Sequence, residues 1–478
     1  MEPNNEGRAG AVRPLCRRLH GLVTALAMGS ALFHLPGCQG EARVYPDVVL
    51  ITLDTTRADH LGVYGYERDI TPEIDRLAED AVVFQRAWST ASWTLPSHAS
   101  IFTGKHPSSH GATFNVKSGD TTLGEVLLGR IFNEIKVNRL GEDQITLAEL
   151  LQEAGYETAA FVGGPWMSPE FGLLQGYAVQ DAEILTLGGR LADELTKRAI
   201  AWLQSIPREQ PVHLLINYFD PHGPYEPPKG YDDLPRARAE IDVYTVDVIH
   251  GKPMTPVQRA TIIDRYDGEI RFMDHHLGRI FEVLREVDRY EDALIIVLAD
   301  HGETFGEHDL MEHGRWLYEE VLRVPLLIRF PGGRNSGTVV YDSVSVVDLL
   351  PLISREVGLT LPANTEGVPI GNRELVLAES SRDALSIRLW GPRFDRALIS
   401  GIRWPWKLIM SDTGSSELYR LDDDPGELLN VADGEAEKSL MNAIEEARAA
   451  FKPPERSSSP ESVSPETMKN LRGLGYIE

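Results

Sequence analysis

Cysteine is almost missing. The 478 residues hold two, Cys16 and Cys38, and both precede the part of the chain with globular patterning. That excludes a disulfide framework and a cysteine metal centre in the core. Basic charge is short as well: 47 Lys and Arg face 72 Asp and Glu, a formal net charge of −25. Residues 1–37 carry four Arg and two Glu, a net of +2, so the remainder carries −27 by subtraction. Such a surface excludes nucleic acid as the main partner, because a phosphate backbone needs a basic face. It leaves open a small anion held in a local positive pocket or on a metal. No internal repeat is present, and no apolar run has the length and flanks of a membrane span. What is there is 42% hydrophobic residues in a chain long enough for one large domain and a smaller one.

The N-terminus has an address. Arg13, Arg17 and Arg18 precede an apolar run, Gly21 to Leu35, that ends in Leu35-Pro36-Gly37-Cys38. A charged start, an apolar middle and a small residue before the cut make a secretory signal. The cysteine directly after the junction resembles a bacterial lipoprotein signal. That implies loss of residues 1–37 and membrane attachment through a lipidated Cys38. The alternatives are a plain cleaved signal, giving a periplasmic or extracellular protein, and an uncleaved anchor. All three export the rest of the chain.

The stretch from Ala91 to Gly104, Ala-Ser-Trp-Thr-Leu-Pro-Ser-His-Ala-Ser-Ile-Phe-Thr-Gly, organises the remainder. Proline is tolerated in the first turn of a helix, so Thr94 is expected at or just before a helix N-terminus. Free N–H groups and the positive end of the dipole favour an anion there. A hydroxyl in that place is a candidate nucleophile towards an anionic ester. An ordinary N-cap threonine is the competing reading.

Buried parallel strands are expected at Val48–Leu53, Thr158–Val162, Val212–Phe219 and Ala293–Ala299, each an apolar, β-rich run. Helical spacing covers Pro72–Phe84, Leu147–Ala154, Asp193–Ser205, and Tyr266–Arg285 with Asp274 on it. The alternation argues for a parallel sheet with helices on both faces. Ligands gather beyond the carboxyl ends of such strands. Asp54 follows the first strand, and Asp300-His301-Gly302-Glu303 follows the fourth.

These pieces resemble, in order, the sulfatase family of the alkaline-phosphatase superfamily. The opening pattern stands as Leu53-Asp54-Thr55-Thr56-Arg57-Ala58-Asp59 and then Gly62-Val63-Tyr64-Gly65. The signature, Cys or Ser, x, Pro, Ser, Arg and then Thr-Gly-Arg, stands as Thr94-Leu95-Pro96-Ser97-His98 and Thr103-Gly104-Lys105. Asp220-Pro221-His222-Gly223-Pro224-Tyr225 is similar to a family loop. So are Val344–Leu352 and the element Leu418-Tyr419 to Glu427.

The resemblance implies an α/β, alkaline-phosphatase-like, mostly parallel sheet with helices on both faces. A smaller C-terminal α+β domain follows. The expected boundaries are 38–381 for the catalytic part, 382–451 for the small domain and 452–478 for linker and tail. Residues 113–145 read as an insertion.

The resemblance also implies one divalent metal ion, Ca, Mn or Zn, on Asp54, Thr94, Asp300 and His301. Thr94 is the implied nucleophile, and His222 or His313 assists the leaving group. Lys105 is expected to hold the equatorial oxygens, and His98 stands where the family has an Arg. Asp220, His222 and His313 are a weaker set for a second ion. Tyr225 is expected to shape the cleft wall, Asp274 to be structural, and Lys407 to be solvated.

Three residue types depart from the pattern. Thr94 cannot become the family's formylglycine aldehyde, His98 replaces Arg, and Thr55 replaces an Asp common in the metal site. Superfamily members with an unmodified Thr act on phosphate esters. The expected function is therefore metal-dependent hydrolysis of sulfuric or phosphoric esters: a small anionic ester, a sulfated or phosphorylated glycan, or a lipid headgroup. The alternatives are a phosphodiesterase or headgroup transferase, or a silent glycan-binding lipoprotein.

Overall fold

The computed structural model describes residues 45–115, 137–183, 191–242, 245–431, 434–454 and 463–473. Cys38 and the signal, most of the 113–145 insertion and much of the 452–466 linker lie outside the described residues.

In chain order the large α/β part contains β1 (Val48–Leu53), α1 (Pro72–Asp80), β2 (Val82–Phe84), α2 (Thr94–Thr103), α3 (Leu147–Glu153), β3 (Glu157–Val162), β4 (Val179–Asp181), α4 (Ala192–Ser205), β5 (Val212–Tyr218), α5 (Pro256–Glu286), β6 (Leu294–Leu298), β7 (Leu326–Arg329), β8 (Thr338–Val340) and α6 (Leu349–Val357). The sheet runs β8-β2-β7-β6-β1-β5-β3-β4. From β6 to β4 all neighbours are parallel. β7 is antiparallel to both β6 and β2.

Helices pack on both faces, α1 and α4 against α5, and α2 against α3 and α6. This is why β1, β5 and β6 are buried at every position and show no alternation. The expected α/β class is the observed one.

Two boundaries differ for local reasons. The helix expected over Pro72–Phe84 stops at Asp80, because Val82 and Val83 are β-branched and pair with Ile328 and Leu327. The helix expected from Tyr266 begins at Pro256, where Thr255 and Gln258 form a reciprocal capping box. Asp274 on that helix is structural, as expected: its carboxylate accepts the N–H groups of Glu73 and Ile74 at the start of α1 (3.0 and 2.9 Å).

The smaller sheet is antiparallel: β9 (Val376–Ser380), β10 (Leu398–Arg403), β11 (Trp406–Ser411) and β12 (Ser416–Arg420), in that order. It starts at Val376, ahead of the expected boundary at 382, because β9 pairs with β10 along its length. Helix α7 (Gly434–Ala450) packs on β10 and β11, and α8 (Pro465–Gly473) ends the described chain. Among the described residues no helix is long and apolar enough to cross a membrane.

Lys407, expected in solvent, is fully buried on β11. Its ammonium lies 2.9 Å from Glu319 and 2.8 Å from Glu427. The strand pairs on both edges and the chain after β12 returns over it, so this side chain has no route to water.

Candidate active site

Sheet register builds the centre. Thr52 of β1 is opposite Leu298 of β6, so two residues on, Asp54 and Asp300 leave the sheet side by side. Both are fully buried. Both oxygens of Asp54 and Oδ2 of Asp300 have no hydrogen-bond partner. Burial and the nearby Asp300 push the Asp54 carboxyl well above the usual range. The Asn217 amide and Thr94 hydroxyl pull it back without closing a hydrogen bond.

His301 completes the cluster. Its Nδ1 lies 2.9 Å from the Gly302 carbonyl, which accepts the proton there and leaves the Nε2 lone pair inward. Nε2 sits 3.4 Å from Asp300 Oδ2 and 3.8 Å from Asp54 Oδ1. One ligand atom from each of Asp54, Asp300 and His301 falls within a 4.8 Å span. Two buried carboxylates with three oxygens lacking a hydrogen-bond partner, and an imidazole lone pair beside them, fit a divalent cation. The donor set is what such an ion needs, and among the described residues no lysine or arginine pairs with either carboxylate.

Thr94 is the first residue of α2, and Trp93 occupies the N-cap. The competing N-cap reading fails, because the threonine side chain does not cap the helix. Its Oγ1 lies 3.5 Å from His301 Nε2. The first turn is locked from three sides. Trp93 stacks on Phe114 with centroids 4.2 Å apart. Ser97 Oγ donates to the Asp300 carbonyl at 2.7 Å. His98 bridges the Thr94 carbonyl and Thr52 Oγ1, 3.0 Å each. His98 is wholly buried, and its pKa is lowered chiefly by that burial. It holds the turn that carries Thr94. The helix ends at Gly104, whose φ of +63° is the left-handed C-cap that glycine accommodates.

Lys105 is a correction. It follows the far end of α2, about 15 Å along the axis from Thr94 at 1.5 Å per residue. Its ammonium donates to Gln144 Oε1 at 2.8 Å, and it lines a separate cavity with Asp143 and Glu366. It does not reach oxygens bound at Thr94.

His222 and His313 do come to the centre. Their rings are 5.0 Å apart, and His313 is 4.5 Å from His301. His222 stacks on Phe219 and its Nδ1 donates to the Gly223 carbonyl. Burial first, and then neighbouring imidazoles, pull both pKa values well below the usual histidine range. Asp220, placed with them as a weaker second-ion set, turns elsewhere. Its Oδ1 accepts the Ala192 N–H at the start of α4 (3.0 Å), and it is not part of the cluster that could hold an ion among the described residues.

Glu303 and Tyr266 were given no role from the sequence. Glu303 pairs with His313 Nδ1 at 3.1 Å and accepts the Tyr225 hydroxyl at 2.9 Å, so Tyr225 is more than a cleft wall. Burial raises the Glu303 carboxyl to about 8. Its place at the end of Asp-His-Gly-Glu was the available signal. Thr55 sits at φ +52°, rare for a β-branched residue, and its buried hydroxyl has no partner. The Tyr266 hydroxyl braces this turn, donating to the Thr55 carbonyl (2.7 Å) and accepting the Arg57 N–H (2.9 Å). No local pattern marks Tyr266.

A family model for sulfatases matches residues 46–359. The chain belongs to the sulfatase family. A second model, for the C-terminal region of N-sulphoglucosamine sulphohydrolase, matches residues 306–452 and covers the small sheet. The sulfatase relatives cover from 66% to 90% of the chain. The uncharacterized sulfatase YidJ of Escherichia coli K12 is 25% identical over 430 residues, 81% of this chain and 83% of its own. The N-acetylglucosamine-6-O-sulfatase of Bacteroides thetaiotaomicron is 22% identical over 532 residues, 90% and 91% of the two chains. Among solved structures, the phosphonate monoester hydrolase of Agrobacterium radiobacter superposes with a TM-score of 0.66 at 22% identity, over 85% of this chain and 96% of that one. This sulfatase-family chain is therefore a sulfatase-like ester hydrolase, of a family whose members are metal-dependent, and its Asp54, Asp300 and His301 form the candidate metal centre.

Proposed function

We propose that the chain is a metal-dependent hydrolase of sulfuric or phosphoric esters in which the unmodified Thr94 is the nucleophile. The observation that carries this is the placement of the Thr94 hydroxyl. It lies 3.5 Å from His301 Nε2, at a helix N-terminus, beside two orphaned buried carboxylates. A divalent ion bound by Asp54, Asp300 and His301 supplies Lewis-acid charge that makes the hydroxyl more acidic and neutralises the ester oxygens.

The chain's own groups do the rest. Thr94 Oγ passes its proton to the neutral His222 or His313 as it attacks sulfur or phosphorus opposite the leaving oxygen, whose bond breaks, aided by the free N–H groups of α2. His222 and His313 stand neutral in the resting site; a bound dianionic or monoanionic ester favours their protonated form. One of them then delivers a proton to the leaving alcohol. In a second in-line step water gives a proton to the same, now neutral imidazole as it attacks the Thr94-linked sulfur or phosphorus, and the imidazolium returns that proton to Thr94 Oγ as its bond breaks. Glu303 holds His313 in one orientation, and Tyr225 holds Glu303.

The threonine favours phosphoric over sulfuric esters, following the resemblance drawn above. The names of the relatives favour a carbohydrate leaving group, since one is a sulfatase of N-acetylglucosamine. The test offers the purified chain an aryl sulfate, an aryl phosphate and a diaryl phosphate, with metal analysis, a chelator arm and Thr94→Ala. Phosphate-ester turnover lost in both controls supports the reading. Sulfate turnover that survives Thr94→Ala refutes the nucleophile. Export with a lipid on Cys38 is part of the same proposal: Cys38→Ser should move the chain from the membrane fraction to the soluble one, and an unchanged distribution rejects it.

A further inference from the structure

A second pocket opens beyond the same edge of the sheet as the metal centre. β7 is antiparallel to β6 and pairs Leu326 with Leu298, so the residues before β7 emerge where Asp300 does. β2 is antiparallel to β7 in turn, so Gln85 and Arg86 emerge there too. Two strand spacings, about 10 Å, separate β2 from β6. Between them, the Gly302 and Glu303 N–H groups donate to the Val321 and Glu320 carbonyls (2.9 and 3.1 Å), tying the metal loop to the segment that forms the pocket floor.

The pocket holds about 200 Å³ and is lined by Arg86, Arg323, Trp88, Tyr341 and Trp404 among others. Its charge is unusual for so acidic a chain. Arg86 and Arg323 are near enough that Arg323 helps depress the Arg86 pKa, after burial. Each guanidinium gives one hydrogen bond, and to a backbone carbonyl: Arg86 to Tyr341 and Arg323 to Gln85, 3.0 Å each. Among the described residues neither has a carboxylate within 4.0 Å. Glu319 borders the pocket, but its oxygens serve Lys407 and the Trp88 indole N–H. Arg86 lies flat over Trp404 at 3.7 Å, which fixes the plane of its fork. Tyr341 stands 61% exposed at the rim.

We propose that Arg86, Arg323, Trp404 and Tyr341 form a binding subsite for an anionic sugar residue, carrying sulfate or carboxylate, separate from the ester-cleaving centre. Two forks with no carboxylate in hydrogen-bond reach, Asp342 and Asp422 acting on Arg86 and Asp59 on Arg323 only at longer range, match a planar or tetrahedral oxyanion, and the aromatic rim matches the apolar face of a pyranose ring. Placement on the catalytic edge lets one oligosaccharide occupy both sites. That last link rests on the ester-hydrolase reading; binding itself does not.

The test separates the two. Thr94→Ala protein, which binds without turnover, is titrated calorimetrically with a heparin-derived tetrasaccharide and with a neutral cello-tetraose. Arg86→Gln and Tyr341→Ala are placed on that background. The expected result is binding of the sulfated probe only, weakened about tenfold or more by Arg86→Gln and several-fold by Tyr341→Ala. Turnover of a small aryl ester by the corresponding Thr94-containing variants should be unchanged. Equal binding of the neutral probe, no binding of the sulfated one, or affinity indifferent to both substitutions overturns the subsite. If Arg86→Gln fails to fold, the exposed Tyr341→Ala decides alone. A chain that hydrolyses nothing yet binds through Arg86 keeps the subsite and loses the catalytic reading.

Discussion

Two clusters of buried acids sit in this molecule, and they are balanced in opposite ways. Glu319 and Glu427 close on Lys407, whose ammonium is wholly buried. Burial would lower that lysine's pKa, yet the two carboxylates win and raise it. Asp54 and Asp300 are as deeply buried, but what surrounds them is each other, His301, His98, the Asn217 amide and a hydroxyl, with no lysine or arginine paired to either among the described residues. The first cluster carries its own counter-charge and joins the two sheets. The second leaves acceptors idle, a costly state unless a cation arrives from solution. An acid pair with an internal cation is architecture; an acid pair without one is a site. Asp274 shows a third solution, two backbone N–H groups at a helix start.

The comparison breaks most visibly on activity. Thr94→Ala, or removal of the metal by a chelator, should cut ester turnover on the order of 10³-fold or more while circular dichroism stays unchanged. Surviving turnover in either arm would mean the idle acceptors are not the reaction centre. Lys407→Met tests the other cluster. It leaves two buried carboxylates unpaired and should cost about 3–5 kcal/mol in urea unfolding, with metal content per folded chain intact.

Asp54→Asn should act with the opposite sign. In metal-free protein it removes the cost of burying a carboxyl that must take up a proton to stay there, and should stabilise by on the order of 1–2 kcal/mol, while metal binding is lost. Destabilisation of the metal-free chain would erase the contrast.

The smallest effect concerns pH. Burial, opposed by the amides of Glu73 and Ile74, raises the Asp274 carboxyl to about 7 from 3.8. Within that window the folded chain keeps a proton that the unfolded chain has released. Stability should therefore fall as pH rises, by up to about 1.4 kcal/mol per unit for one proton. Asp274→Asn should flatten the slope in urea titrations between pH 4 and 7; an unaltered slope would place the proton elsewhere.

Much of the centre was legible in the sequence because it depends on local order. Strand ends carry Asp54 and Asp300, the proline in the first turn puts Thr94 at a helix start, and parallel pairing brings the three together. The errors came from distance along an element and from burial by remote chain. Lys105 follows the signature closely in sequence, but a helix turns that spacing into length and carries it away. Lys407 looks solvated on a hairpin, and only the return of Glu319 and Glu427 encloses it. Glu303 and Tyr266 act through partners far along the chain, Tyr225 and Thr55, which no short pattern records. The start of α5 was different, since Thr255-Pro256-Val257-Gln258 spells its capping box and was open to reading.

Every residue of α2 is buried, from Thr94 to Thr103. The Thr94 hydroxyl thus hangs from an element with no solvent-facing side on which substitutions are cheap. Changes meant to retune the chemistry by moving that helix would be paid in folding yield first. Variation in what the enzyme accepts is better sought in the loops beyond the sheet edge, which can drift while Thr94 stays fixed.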